Sequence, residues 1–261
     1  MKLCTLYSGS RGNAAYLECG GARILIDAGK CAKQLIAALT SVGARIEDID
    51  AILITHEHND HISTLERPKN IPDIPVHVAG RSAEALRYRH SDYIKNNMVP
   101  HPPLYTLEVK GVRVSSFATP HDSAGSVGFR IEWEENGVTH RVGYATDVGY
   151  VTDDVLAGLS GCEAVVIEAN HDVDMLKNGP YPYQTKLRIL SPRGHLSNAA
   201  CAELAVTLAG SGTRAFLLAH ISEKNNDPAL AYDEVFSALS DPQIQLLVAN
   251  THTPTKLVWE E

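Results

Sequence analysis

Residues 51–61 read Ala51-Ile-Leu-Ile-Thr-His-Glu-His-Asn-Asp-His61. Ala51 to Ile54 is an apolar run with β-branched isoleucines, the mark of a short buried strand. It breaks at once into three histidines and an aspartate within six positions. Imidazole and carboxylate suit Zn²⁺, Mn²⁺ or Fe. In extended chain alternate side chains share a face, so His56 and His58 can grip one ion together. Asp60 and His61, on the turn that follows, can face a second ion beside it. The plainer alternative is a polar loop rich in histidine by chance. Such a loop has no reason to place this ligand density directly behind a buried strand.

On either side of this stretch the pattern alternates strands and helices. Lys2 to Tyr7, Ala14 to Cys19 and Arg23 to Asp27 read as strands, with a turn at 8–13 and a hairpin signal at Gly20-Gly21. Cys31, Leu35, Leu39 and Val42 fall on one helical face, and Gly43 stops it. Beyond the His-rich loop, 67–75 reads as loop, 76–79 as strand and 82–90 as helix. Pro100, Pro102 and Pro103 read as another loop. Residues 104–109 and 112–117 form a hairpin at Lys110-Gly111, and 126–133 and 139–145 form one at Asn136-Gly137. A helix near 152–159 and a strand at 164–168 follow, and 175–190 gives no clear period. Next come an alanine-rich helix at 198–209, a buried strand at 214–219 and a helix at 228–239 with proline in its first turn. Strands at 244–248 and 256–259 close the chain. Two batches of strands with helices between them predict two packed sheets flanked by helices. With no linker and no low-complexity segment, 1–261 reads as a single domain.

Further His and Asp residues stand behind apolar runs: His121 in Thr119-Pro-His-Asp-Ser123, Asp147 in Tyr144-Ala-Thr-Asp147, His220 in Leu217-Leu-Ala-His220, and Asp27 in Leu25-Ile-Asp27. His101 competes with His121, though its context is proline-rich. Asp147 has a plainer reading as a helix cap.

Thr55-His-Glu-His-Asn-Asp-His61 resembles the signature of the metallo-β-lactamase-fold hydrolases. That resemblance implies an α/β, four-layer αββα sandwich made of two similar halves, and two metal ions. It implies His56, His58 and His121 on one ion, Asp60, His61 and His220 on the other, and Asp147 between them. It gives Asp27 the role of orienting the metal loop by hydrogen bonds rather than of a ligand. No cysteine stands among these ligands. Zn²⁺ or Mn²⁺ therefore fits, with Fe a further alternative. A hydroxide bridging two such ions is a nucleophile at neutral pH, so the implied chemistry is hydrolysis, with Asp60 part of the catalytic machinery.

Ser8-Gly-Ser-Arg-Gly-Asn13, Glu168-Ala-Asn-His-Asp172, Gly194-His-Leu-Ser-Asn198 and His220-Ile-Ser-Glu-Lys-Asn-Asn226, with Tyr181-Pro-Tyr183, resemble the YycJ (WalJ) group of phosphodiesterases and DNA exonucleases. The expected substrate is accordingly DNA cut from an end. A small phosphodiester, such as a cyclic phosphate or nucleotide fragment, is the first alternative, and a thioester or lactone the second. The stretch 62–105 departs from the group: 62–70 is proline-interrupted and lacks an expected glycine, and 81–105 is unfamiliar, which puts the substrate in doubt more than the chemistry.

His195 precedes a helix start, where free N–H groups bind phosphate. It can steady a phosphate oxygen or protonate the leaving alkoxide, or pack under the helix. Ser8, Ser10 and Asn13 are candidate cleft donors, or an ordinary tight turn. Ser222, Lys224 and Asn225 follow His220 directly and are candidate substrate contacts, or a capping loop ahead of Pro228. His171 can reach metals or substrate, or lie on the surface. Arg188 and Arg193 are phosphate contacts or solvated arginines.

Net charge is −8 with histidine neutral, which argues against a broad electrostatic grip on nucleic acid. No apolar run approaches the ~18 residues of a membrane span. Met1 to Tyr7 is too short, and too polar afterwards, for a signal peptide. The five cysteines are scattered, odd in number and without a C-x-x-C pair, so they read as reduced thiols of a cytoplasmic protein. Oligomeric state is left open.

Overall fold

The computed structural model of the chain describes residues 1–257. The first half runs β1 (Lys2–Tyr7), β2 (Ala14–Cys19), β3 (Ala22–Ile26), α1 (Ala32–Ser41), β4 (Ala51–Ile54), α2 (Asn59–Glu66), β5 (Val76–Ala79), α3 (Gly80–Arg87), α4 (Asp92–Asn97) and β6 (Met98–His101). Then come β7 (Thr106–Val109), β8 (Val112–Ala118), β9 (Val127–Glu135), β10 (Val138–Ala145), α5 (Asp153–Leu159) and β11 (Ala164–Glu168). The chain continues with α6 (Val173–Asn178), α7 (Tyr183–Ile189), α8 (Asn198–Gly210), β12 (Ala215–Ala219), α9 (Pro228–Leu239), β13 (Gln245–Val248) and β14 (Thr255–Leu257).

Among the described residues these strands form two seven-stranded sheets, ordered β14-β1-β2-β3-β4-β5-β6 and β13-β12-β11-β10-β9-β8-β7. Each sheet changes from antiparallel to parallel pairing partway across. In the first the change comes between β3 and β4, in the second between β10 and β11. The antiparallel parts turn at Gly20-Gly21, Lys110-Gly111 and Asn136-Gly137, where both residues of each pair have positive φ. That is the backbone a two-residue hairpin needs to match the strands' twist.

The sheets face each other across Leu17, Ile24, Leu53, Phe129, Ile131, Val166 and Leu217. A second apolar cluster lies under the helices of the first half, with Tyr16, Leu25, Ile52, Leu35 and Ile94. A third lies under α5, α8 and α9, with Val165, Phe216, Leu159, Leu204 and Val235. Both faces of each central strand are thus covered, which is why β4, β11 and β12 are continuous apolar runs rather than alternating ones. The order of layers is α/β/β/α, the four-layer sandwich.

Several local expectations are corrected. Asp60 and His61, expected on the turn after the strand, lie in the first turn of α2. The proline-marked segment at 100–103 is partly strand: β6 takes in Pro100, paired with Val78. A proline lacks one ladder donor and is tolerated there because β6 is the edge of its sheet. The helix read at 82–90 spans 80–87, and the strand read from Leu104 begins at Thr106. The unreadable 175–190 holds the end of α6 and the whole of α7. Of the closing strand expected at 256–259, β14 covers its start, and Val258 and Trp259 lie outside the described residues.

The departing stretch 62–105 supports the His-rich loop directly. Glu57 points away from the neighbouring histidines and accepts hydrogen bonds from Ser82 Oγ at 2.6 Å and the Ala124 amide at 2.7 Å. Arg89 donates to the Glu57 carbonyl at 3.2 Å and pairs with Glu66 at 3.0 Å.

Candidate active site at the strand ends

The side chains singled out in the sequence meet in the groove where the two sheets present their strand ends. Asp27 follows β3, His56 follows β4, Asp147 follows β10 and His220 follows β12. Asp27, Asp147 and His220 all have left-handed backbone, with φ of +61, +58 and +56. Such a conformation is unfavourable for a residue with a Cβ and persists only where the surroundings enforce it. Here it turns the last side chain of a strand out of the sheet and into the groove.

His56, His58 and His121 bring ring nitrogens within 4.8 Å of one another, as do the ligand atoms of Asp60, His61 and His220. Asp147 stands between the two groups. Its Oδ1 lies 3.7 Å from His121 Nε2 and 3.6 Å from His220 Nε2, and its Oδ2 lies 3.4 Å from His61 Nε2. His61 Nε2 is also 3.6 Å from Asp60 Oδ2.

Hydrogen bonds behind the rings decide which nitrogen faces the groove. His61 Nδ1 donates to Asp27 Oδ2 at 2.7 Å, and Asp27 Oδ1 also accepts from the Thr55 amide at 2.9 Å. His121 Nδ1 donates to the Gly194 carbonyl at 3.1 Å. His220 Nδ1 donates to Glu168 Oε1 at 2.9 Å. In each case Nε2 is left to face the centre, the arrangement that backing groups impose on metal-binding imidazoles. His56 Nε2, His220 Nε2 and Asp147 Oδ2 are buried and have no hydrogen-bond partner. Buried polar atoms without partners are costly, and divalent metal ions are the partners this donor set fits.

The charges agree with that reading. Burial alone would raise the Asp147 pKa, but His220, His61 and His121 around it lower it, so the carboxylate stays ionised. Burial would lower the pKa of His61, but Asp27 and Asp147 raise it to about 9. Without a metal, His61 thus carries a proton that a cation would displace. His56 is pushed well below its ordinary value by burial and then by the histidines around it.

Glu168 is the site residue whose role sequence reasoning missed. It is fully buried at the end of β11. Oε1 accepts from both His195 Nδ1 at 2.8 Å and His220 Nδ1 at 2.9 Å, and Oε2 accepts from the Val148 amide at 2.8 Å and the Leu196 amide at 3.1 Å. Burial opposes its ionisation, but His195 and His220 hold its pKa below the ordinary carboxylate range. The signal was available: an acidic residue closing the apolar run Ala164-Val-Val-Ile-Glu168, the same pattern that marked Asp27.

His195 lies between the rings of His121 and His220, each 5.1 Å away by centroid, and is partly exposed. The remaining candidates are placed less directly. Ser8 is buried, and its Oγ accepts from the His220 amide at 2.7 Å, so it holds a strand end rather than lining a cleft. Asn13 is buried with Nδ2 3.1 Å from His61 Nε2 and 3.5 Å from Asp60 Oδ2. Ser10 is exposed. Ser222 and Asn225 are buried and bonded to each other, the Asn225 amide donating to Ser222 Oγ at 3.2 Å. Lys224 Nζ lies over the Tyr181 ring at 5.9 Å. His171 is buried and belongs to none of the ligand groups. Arg188 pairs with Asp122 at 2.6 Å beside His121, while Arg193 donates to the carbonyls of His121 and Ser123. His101 is drawn away from the groove, bonded to His77 at 2.8 Å and stacked on Tyr105.

Gly29 shows how tightly the metal loop is seated. A Cβ there would overlap the Asp60 carbonyl, which accepts from the Asn13 amide at 2.7 Å.

Comparison with known proteins agrees with this geometry. The model of the Beta-lactamase superfamily domain matches residues 22–221. The chain is 31% identical over 247 residues to the exodeoxyribonuclease WalJ of Streptococcus pneumoniae, covering 93% of this chain and 90% of that protein. It is 32% identical over 242 residues to the exodeoxyribonuclease YycJ of Bacillus anthracis, covering 90% and 88%. In three dimensions it superposes on the metallo-β-lactamase fold protein YhfI from Bacillus subtilis with a TM-score of 0.69, at 18% identity and with both chains fully covered. With that fold, that match over most of its length and those relatives, the chain belongs to the metallo-β-lactamase superfamily.

Proposed function

We propose that this protein is a two-metal phosphodiesterase that cuts DNA from an end. The observation that carries the reading is Asp147, whose two oxygens reach both histidine groups at once. Sequence kinship to two exodeoxyribonucleases supports DNA as the substrate. Bound divalent ions would lower the pKa of water and offset charge on the phosphate. His56, His58 and His121 would hold one ion, Asp60, His61 and His220 the other, with Asp147 shared. Mn²⁺ and Zn²⁺ both suit this all-His/carboxylate set.

The chain's own residues supply orientation and a proton. Asp27 and Glu168 fix the rings of His61 and His220, so the ligands are preorganised before substrate arrives. Glu168 accepts the Nδ1–H of His195, so when the ring is an imidazolium its Nε2–H is the proton it gives to the departing alkoxide, leaving the neutral Nδ1–H ring on Glu168. Arg188, paired with Asp122 at the rim, is placed to exchange that carboxylate for a substrate phosphate. The core shared by both sheets supports reading 1–261 as one unit. All five cysteines are free thiols, which supports a reducing, cytoplasmic setting. No helix among the described residues is long and apolar enough to cross a membrane.

The test is hydrolysis of end-labelled DNA by the purified protein with Mn²⁺ or Zn²⁺. Release of nucleotides from an end, abolished in a folded Asp147→Ala variant, is expected. Wild-type turnover by that variant would place the bridge elsewhere. The net charge of −8 favours a second reading, a small phosphodiester. Cleavage of cyclic or dinucleotide diesters with no action on DNA would select it, and cleavage of thioesters alone would overturn both.

A further inference from the structure

A cleft of about 470 Å³ opens beside the ligand cluster and shares His195 with it. That volume falls within the usual range for small-molecule sites. One wall is a single face of α8, where Ala200, Leu204 and Thr207 recur at helical spacing. Another part of the lining is Tyr150, Val151 and Leu156. It is joined to the metal site through the backbone: the segment bearing Asp147 runs through Gly149 into Tyr150. Gly149 donates to the Pro120 carbonyl at 2.7 Å, and a Cβ on it would overlap the Pro192 carbonyl. The cleft wall is therefore pinned to the loop that positions Asp147.

The chemistry of the lining narrows the occupant. No lysine or arginine lines the cleft, and its one charged side chain in apolar surroundings is Glu203. A phosphate would find no cation there and one carboxylate against it. An uncharged, mostly apolar group with a polar edge fits instead. His171 lines the cleft, is 2% exposed, and its Nδ1 has no hydrogen-bond partner. Tyr150, half exposed at 50%, offers a ring face. An anion-receiving centre on one side of His195 and a mostly apolar cleft without a lysine or arginine on the other reproduce the polarity of a nucleotide: phosphate, then base.

We propose that this cleft receives the base of the terminal nucleotide, unstacked from its neighbour, while the adjoining phosphate lies at the metal ligands. The inference rests on the phosphodiesterase reading above and names the part of the substrate that the reading leaves open. Tyr150 stacks on the base, α8 packs against its other side, and His171 meets its polar edge. Aromatic stacking tolerates every base, so the cleft selects for a nucleotide without selecting a sequence.

The test uses the full-length protein with Mn²⁺ and two end-labelled DNA strands, one normal and one whose terminal nucleotides keep their phosphates but lack their bases. Wild type is expected to cut the normal strand with a kcat/KM about 5- to 150-fold higher, the usual worth of one stacked base. In Ala200→Trp, whose indole fills the cleft from the α8 wall, the two strands should converge. Equal kcat/KM for the two strands in wild type would overturn the base site while leaving the phosphodiesterase reading intact. Failure to cut either strand would instead overturn that reading, and the base site with it. The wild-type comparison needs no variant, so a poorly folding Ala200→Trp does not spare the proposal.

Discussion

Glu168 and Asp27 do the same work in the two halves of the site. Each is a buried carboxylate at the end of a strand, and each fixes a histidine whose other nitrogen faces the groove. Glu168 differs in holding a second ring, His195, for which we propose the proton-transfer role. This makes a prediction at the level of one side chain. His195→Ala should lower the rate on a DNA end about 10²- to 10⁴-fold, the usual contribution of a positioned acid or donor. A nitrophenyl diester, whose leaving group needs little protonation, should suffer much less. Equal losses on both substrates would make His195 a phosphate holder, and loss of a metal ion would make it a ligand. The metal-ligand candidates were legible because His56, Asp147 and His220 stand just behind apolar runs and His58, Asp60 and His61 crowd the loop behind the first of them. The roles of Ser8, Ser222 and Asn225 were not: a small polar residue in a loop reads the same whether it faces substrate or holds a backbone amide. Only the structure shows Ser8 holding the amide of His220.

At the level of elements, the hairpins and central strands could be read because their signals are local. Gly20-Gly21 and Asn136-Gly137 adopt the left-handed turns their composition requires. The first turn of α2, strand β6 and helix α7 could not, because their reasons are non-local: α2 is held by backbone bonds to Asn13 and Ala28, and β6 exists through pairing with β5. The pairing of β5 and β6 brings together His77 and His101, remote from the groove, with Nδ1 of one 2.8 Å from Nε2 of the other. Burial, then the neighbouring His101, pushes His77 down to about 4. The unfolded chain, with an ordinary histidine value near 6.5, binds more protons than the folded one between about 6.5 and 4. Stability that His77 permits at neutral pH is therefore lost as pH falls through that window. Comparing wild type with His77→Gln by thermal unfolding should show a shallower loss between pH 6.5 and 4.5 in the variant. Parallel profiles would show that His77 titrates as it does in the unfolded chain.

At the level of the whole molecule, the site exists only because the two sheets face each other. The first sheet and α2 supply Asp27, His56, His58, Asp60 and His61, and the second supplies His121, Asp147, Glu168 and His220. Asp147 from one sheet approaches His61 from the other at 3.4 Å. The order of ligands along the chain was readable, but their convergence was not, since no local pattern says which face of one sheet meets which face of the other. We propose that this meeting creates a site for two ions. Titration of the metal-stripped protein with Zn²⁺ or Mn²⁺, followed by elemental analysis, tests it most directly. About two equivalents per chain are expected, with Asp147→Ala retaining fewer. Saturation at one equivalent or none in the wild-type protein would contradict it.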